Sequence, residues 1–214
     1  MKKLIRRIPI LFPLAKLARY WIRRGIGSRR LKMKVQRAEI LKIIIGASGT
    51  RQEDWIPTDI ESLNLLRRAD WERYFNPGSI SAMLAEHVWE HMTPEEGLAA
   101  ARFCFEFLEP GGVLRVAVPD GLLPDPYYIE MVKAGGSGPG ADDHKILFTY
   151  RSLQELFEST GFRVELLEYY TESKEFVCRD WDPTDGLIHR SKRFANKTCE
   201  GQLPNTSIIL DARK

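Results

Sequence analysis

Gly46-Ala47-Ser48-Gly49-Thr50 follows directly on a short apolar run. A tight turn of this kind uses residues with small or no side chains, and its amides can approach a ligand closely. Asp59 comes 13 residues after Gly46. A carboxylate there can accept hydrogen bonds from both hydroxyls of a ribose. Further on, Glu86-His87 and Glu90-His91 place imidazoles beside carboxylates. Imidazole titrates near neutral pH, so His87 could orient or deprotonate a nucleophile, or act as a helper in a pocket wall. Asp120, in Pro119-Asp120-Gly121, could accept a substrate hydroxyl, although Asp in that setting is also an ordinary turn former. Asp142-Asp143-His144-Lys145 invites a metal reading. Nothing adjacent in sequence completes such a site, so these residues are expected to be solvated parts of a lid, and no metal is expected. Arg179 to Gly186 mixes acids with Trp181 and reads as a sugar- or amine-binding wall or as a packed irregular loop.

The elements that must hold these residues follow from local patterns. Leu41 to Ile45 is a short run, apolar but for Lys42, as in a buried parallel strand. Trp55 to Thr58 reads as a second strand, Asp70 to Phe75 as a loop or short helix, and Ile80 to Ala85 as another buried strand. Thr93-Pro94-Glu95-Glu96 predicts a helix start: Thr93 as N-cap, Pro94 at the first helical position and Glu96 closing a capping box. That helix should run to about Leu108 and stop before Pro110-Gly111-Gly112. Val113 to Val118 reads as a strand, Lys133 to Asp142 as a glycine-rich loop, and Ser152 as the cap of a helix ending at Gly161. Arg163 to Tyr170 and Ser207 to Ala212 read as strands separated by a long irregular segment. The order predicts an α/β domain, with a mostly parallel central sheet and helices on both faces, binding its ligand at the carboxyl ends of the strands.

The 214 residues fit one such domain plus an extension, and 43% hydrophobic residues can build a sizeable core. Cys104, Cys178 and Cys199 are far apart and odd in number, which argues against a disulfide framework and against a zinc site. Charge is uneven. Residues 1 to 42 carry 14 Lys and Arg against the single acid Glu39, a net +13, whereas the remainder carries −10. Such an arm seeks anionic surfaces. Residues 13 to 24 read as an amphipathic helix with Leu14, Leu17, Ala18 and Trp21 on one side. Two readings stand side by side: peripheral contact of residues 1 to 30 with an anionic membrane, or packing of the stripe on the domain or a second subunit. No segment is long and apolar enough to span a bilayer, and Pro9 and Pro13 interrupt the only stretch like a signal peptide. A cytoplasmic protein, with or without a peripheral membrane contact, is expected. The domains are therefore read as a basic arm over 1–38 and a catalytic-type domain over 39–214.

Taken together, the Gly46 loop, the downstream Trp55-Ile56 and Asp59, then Glu86-His87-Val88-Trp89-Glu90-His91, then Leu108-Glu109-Pro110-Gly111-Gly112 resemble class I S-adenosylmethionine (SAM)-dependent methyltransferases, in particular a group of bacterial ones. The resemblance covers about residues 40 to 170. It implies a Rossmann-like fold and SAM as cofactor. Gly46, Ala47, Ser48 and Gly49 would form the cofactor loop, with Ser48 where a second glycine is usual. Asp59 would hold the ribose, Asp70 would contact the adenine amino group, and Ala85, Glu86 and His87 would lie beside the methionine part. His91 would tie the loop after its strand by a hydrogen bond, and Leu108 to Gly112 would be a structural turn.

The function expected from this resemblance is methyl transfer to a small molecule, a glycan or a lipid-linked polar group, with His87 and Asp120 as catalytic candidates. Three positions depart from the family pattern: Ile44 where an acid is frequent, and Ser48 and Thr50 where glycines are. They motivate an alternative, a non-catalytic methyltransferase-like module docking through its basic arm on a membrane, nucleic acid or protein partner. Nucleic acid ranks lower, because Tyr20 and Trp21 in the arm belong to no nucleic-acid motif. A nicotinamide enzyme ranks lower still, since the loop lacks GxGxxG.

Overall fold

A computed structural model describes residues 11–194 and 206–214, the side chains of residues 11–23 excepted. Helix α1 (Leu11–Arg37) leads into a seven-stranded sheet formed by β1 (Lys42–Ile45), β2 (Ile56–Pro57), β3 (Ile80–Glu86), β4 (Leu108–Pro119), β5 (Arg163–Tyr170), β6 (Phe176–Cys178) and β7 (Ser207–Arg213). Between strands lie α2 (Arg68–Trp71), α3 (Pro94–Phe107), α4 (Pro126–Val132) and α5 (Tyr150–Glu158). The strand order is β2-β1-β3-β4-β7-β5-β6. The first four strands pair in parallel, whereas β7 runs antiparallel to both β4 and β5, and β6 antiparallel to β5. The expected class is therefore met, with a mixed rather than purely parallel edge.

The two faces of the sheet are covered differently. One core cluster takes Leu31 of α1, Trp71 of α2, Ala100, Cys104 and Phe107 of α3, and Leu153 and Phe157 of α5. The second cluster, on the opposite face, joins Ile44, Leu84, Ala117 and Ile209 to Trp55, Trp181 and Ile188; no α-helix of the described residues contributes to it. The cause is topological. The crossovers β2 to β3, β3 to β4 and β4 to β5 all move across the sheet in the same direction, so right-handedness puts them on one face. The links β1 to β2 and β6 to β7 move the other way; the first, residues 46–55, holds no helix, and the described part of the second holds no α-helix.

Residues 179–191 fill that face instead. Arg115 projects there from β4 and is fully buried. It meets its cross-strand partner Asp211 through two hydrogen bonds, Nε to Oδ1 at 2.7 Å and Nη2 to Oδ2 at 2.9 Å. Its Nη1 donates to the carbonyls of Asp182 (2.6 Å) and Gly186 (2.7 Å), and its guanidinium stacks 4.8 Å from the Trp181 ring centroid. Trp181 in turn donates to the buried Glu168 at 2.9 Å. The 179–186 stretch is thus the packed loop of the two readings weighed for it.

Local signals explain several boundaries. Thr93 accepts from the Glu96 amide and Glu96 from the Thr93 amide, completing the expected box, and α3 ends at Phe107. For α5 the cap is Thr149, not Ser152; Ser152 is the third residue of the helix and bonds back to Thr149. The Pro110-Gly111-Gly112 run lies inside β4 as a register shift against β3. There Gly111 takes φ +83°, and a Cβ on Gly112 would fall 3.0 Å from the carbonyls of Glu109 and Ser81.

The expected helix at 13–24 is part of a longer one that continues to Arg37. The stripe of Leu14, Leu17, Ala18 and Trp21 falls among side chains outside the described ones, as do residues 1–10 and Cys199. The second half of α1 docks on the body through buried Leu31 and through Arg24, which pairs with Asp70 of α2. The basic segment and the domain are therefore joined before residue 38. No helix of the described residues is long and apolar enough to cross a membrane.

Removing one partner of a buried ion pair leaves the other charge uncompensated, at a cost of about 3–5 kcal/mol, whereas replacing both by apolar groups costs far less. Arg115→Met is expected to lose stability in that range in urea denaturation, and Arg115→Met with Asp211→Leu to recover most of it. Equal losses for the single and double variants would refute this account.

Candidate functional site

The strand order reverses at β1: the chain leaves β1 towards β2, then returns past it to β3. The crevice between the carboxyl ends of β1 and β3 is where open α/β sheets bind ligands. A cavity of about 250 Å³ lies there, lined by Gly46, Ala47, Ser48, Thr50, Glu86 and His87, with His189 and Arg190 closing it. Gly46 has φ +61°, and a Cβ on it would fall 2.7 Å from Val88 Cγ2, so only glycine lets the loop lie against the turn after β3. A second cavity of about 530 Å³ flanks the other side of the loop. Ala47 and Thr50 belong to both, and Asp59, Gly49, Arg30, Lys34 and Arg51 line the second.

The amides of this loop are not presented as expected. The Ala47 amide donates to the Thr58 carbonyl (2.8 Å), the Thr50 amide to the Ala47 carbonyl (2.7 Å), and the Ser48 amide to Asp59 Oδ1 (2.8 Å). What the loop offers a ligand is a small-residue floor with an acceptor near each end, Asp59 and Glu86. The Glu86 carboxylate also accepts from the backbone amides of His189 (3.2 Å) and Arg190 (2.8 Å) and lies 3.1 Å from His189 Nδ1. Gln52 clasps the Leu187 backbone in both directions, at 2.7 and 2.9 Å, and so fixes the segment that makes these contacts.

Two residues expected in the cofactor site lie elsewhere. Asp70 is buried beneath α1. Burial alone would raise its pKa, but Arg24 and the Asn64 amide outweigh burial and hold it below the ordinary carboxylate value. It is a tether for α1, not an adenine contact. Ala85 is fully buried in the helix-side core, because alternation along β3 turns Leu84 and Glu86 to the crevice face.

His87 has φ +58°, a conformation sparsely populated by residues other than glycine. Its Nε2 lies 3.0 Å from the hydroxyl of Ser207, and its Nδ1 lies 2.9 Å from Glu90 Oε1, outside hydrogen-bond alignment. Ser207 is 120 residues away in sequence and fully buried, which no linear motif could signal. His91 does form a tie: its Nδ1 lies 2.7 Å from Asp143 Oδ1. His87 and Arg190 also line a third cavity of about 280 Å³ with Glu90, His91, Tyr128, Gly138, Gly140 and His144. The glycine-rich loop expected as a lid thus forms a wall of this third chamber.

No protein-family model and no curated protein matches the chain. Solved structures do. A SAM-dependent methyltransferase from Archaeoglobus fulgidus is 13% identical, with 89% of this chain and 94% of that one covered at a TM-score of 0.47. One from Mesorhizobium loti is 10% identical, with 82% and 91% covered at 0.48. One from Methanosarcina mazei is 11% identical, with 83% and 92% covered at 0.47.

Asp120, expected to meet substrate, has both carboxylate oxygens engaged by the backbone. It is buried; Oδ1 accepts from the Leu122 amide (2.8 Å) and Oδ2 from the Tyr170 amide (2.7 Å), so it pins the end of β4 to the end of β5. Burial raises its pKa from 3.8 to about 6 despite those two amides. Between these values the folded chain holds a proton that the unfolded chain has released. The contribution of this carboxyl to stability is therefore greatest below about pH 4 and falls as pH rises through 6. Asp120→Asn removes this dependence. Its stability relative to wild type should rise by about 2–3 kcal/mol between pH 4 and pH 7 in urea melts; a constant difference would show that Asp120 stays ionised in the fold.

Proposed function

We propose that the chain binds SAM across the Gly46–Thr50 loop and transfers its methyl group to a small polar acceptor, free or carried on a glycan or lipid. The observation that carries this reading is a small-residue loop with an acceptor in the cavity on each side of it, Glu86 in the crevice and Asp59 in the second cavity. SAM presents ribose hydroxyls and an ammonium group, which need acceptors. A pyrophosphate needs free amides and a helix N-terminus. Here the Ala47, Ser48 and Thr50 amides are spent inside the protein, and no helix follows the loop. The sequence resemblance described above points the same way.

In this reading Asp59 holds the ribose and Glu86 the amino group, each with lone pairs beyond those already used. When bound, SAM supplies a sulfonium methyl that an aligned nucleophile displaces in line. The protein's own part is alignment and exclusion of water. His87 stands between the crevice and the third cavity, where an acceptor would enter, and its imidazole can take the acceptor proton.

The non-catalytic alternative draws on the same Glu86, whose contacts to His189 and Arg190 hold the chain's own segment over the crevice. One titration separates the two. Isothermal titration with S-adenosylhomocysteine should show binding by wild type and at least about tenfold weaker binding by Asp59→Asn, which keeps an acceptor for the Ser48 amide but loses the charge. Absence of binding by wild type would remove the methyl-transfer reading and leave the docking module. Tighter binding of NAD⁺ would replace it with a dinucleotide site.

A further inference from the structure

Three of the four histidines converge on one buried carboxylate. Glu90 is fully buried, and neither of its carboxylate oxygens has a hydrogen-bond partner among the described residues, His87 Nδ1 lying 2.9 Å from Oε1 but out of alignment. An ionised carboxylate left so costs several kcal/mol unless something pairs with it. Glu90, His91 and His144 each place one ligand atom within 4.8 Å of the others, and all three line the 280 Å³ cavity. We propose that Glu90, His91 and His144 form a binding site for a divalent first-row transition-metal ion, open on its cavity side.

The ring orientations support this assignment. A metal-binding imidazole typically donates its other nitrogen to a carboxylate or a backbone carbonyl, which fixes the tautomer and aims the free lone pair. His91 Nδ1 meets Asp143 Oδ1 at 2.7 Å, and His144 Nδ1 meets the Val132 carbonyl at 2.8 Å. In both rings Nε2 is the nitrogen left with its lone pair. The rings stand 4.7 Å apart, nearly perpendicular at 78°. The backbone frame is rigid: the amides of Lys145 (2.7 Å) and Ile146 (3.3 Å) donate to the Glu90 carbonyl, and the Gly135 amide to the His144 carbonyl (3.1 Å). Residues 53 apart in sequence are thus held together by their own main chain. Two imidazoles and one carboxylate are a donor set suited to zinc and neighbouring ions, and three protein ligands leave a position for water or a substrate oxygen. Metal–ligand bonds of about 2.0–2.2 Å would draw the three groups inward from their present spacing. Two carboxylates, Glu90 and Asp143, offset the charge of a dication.

The chamber shares His87 and Arg190 with the crevice, so a metal-bound oxygen would face the acceptor side. That consequence rests on the methyl-transfer reading; the metal site does not.

The test uses the untagged full chain, freed of metal with a chelator and titrated with ZnCl₂ and, separately, MnCl₂ by calorimetry. One equivalent of at least one ion should bind to wild type. His91→Ala and His144→Ala should each weaken that binding at least about a hundredfold, Asp143→Ala by about ten- to a hundredfold, and His189→Ala, at a histidine outside the cluster, by less than twofold. Far-UV circular dichroism and the urea midpoint check that each variant folds. Binding of neither ion by wild type, or equal binding by wild type, His91→Ala and His144→Ala, would overturn the proposal. S-adenosylhomocysteine titration of the metal-free chain reports on the methyl-transfer reading separately.

Discussion

Much of the molecule hangs on the double hydrogen bond between Arg115 and Asp211. The topology sends its helices to one face, and the opposite face of a parallel sheet cannot stand open to water, because its residues are apolar. A guanidinium with five donors is one of the few groups that can bridge strand to strand and still hold irregular chain on top. Here four of its hydrogen bonds are accounted for, two to a carboxylate and two to carbonyls. Through the Asp182 and Gly186 carbonyls it replaces a helix by a loop, and that loop carries His189 and Arg190 to Glu86. The crevice and the core of the second face are one construction.

The fold was legible where local chemistry decides it. The apolar runs of β1 and β3 and the Thr93–Glu96 box carry their own instructions. The elements that escaped are those fixed by distant partners. Helix α4 begins at Pro126 with Asp125 accepting from the Tyr127 and Tyr128 amides, a short signal in a stretch to which the sequence reading assigns no element. Strand β6 is three residues of hairpin on β5. The face bare of helices could not be read at all, because it follows from the strand order, which no local pattern states.

The site was legible in its linear parts only. Gly46 and Glu86 belong to strand ends that a sequence pattern can place. Asp70 and Asp120 carry the right chemistry in the wrong surroundings: one meets an arginine 46 residues upstream, the other two amides. His144 stands beside Asp142 and Asp143 in sequence, whereas the residues the fold brings next to it, Glu90 and His91, come from across the chain.

His87 and Arg190 each belong to two chambers at once. A wall of two side chains cannot be indifferent to what lies on either side. If filling one chamber moves or fixes these residues, the free energy of filling the other changes by the same amount, whichever is filled first. Such a reciprocity would run through His87, a residue already held in a conformation with few alternatives.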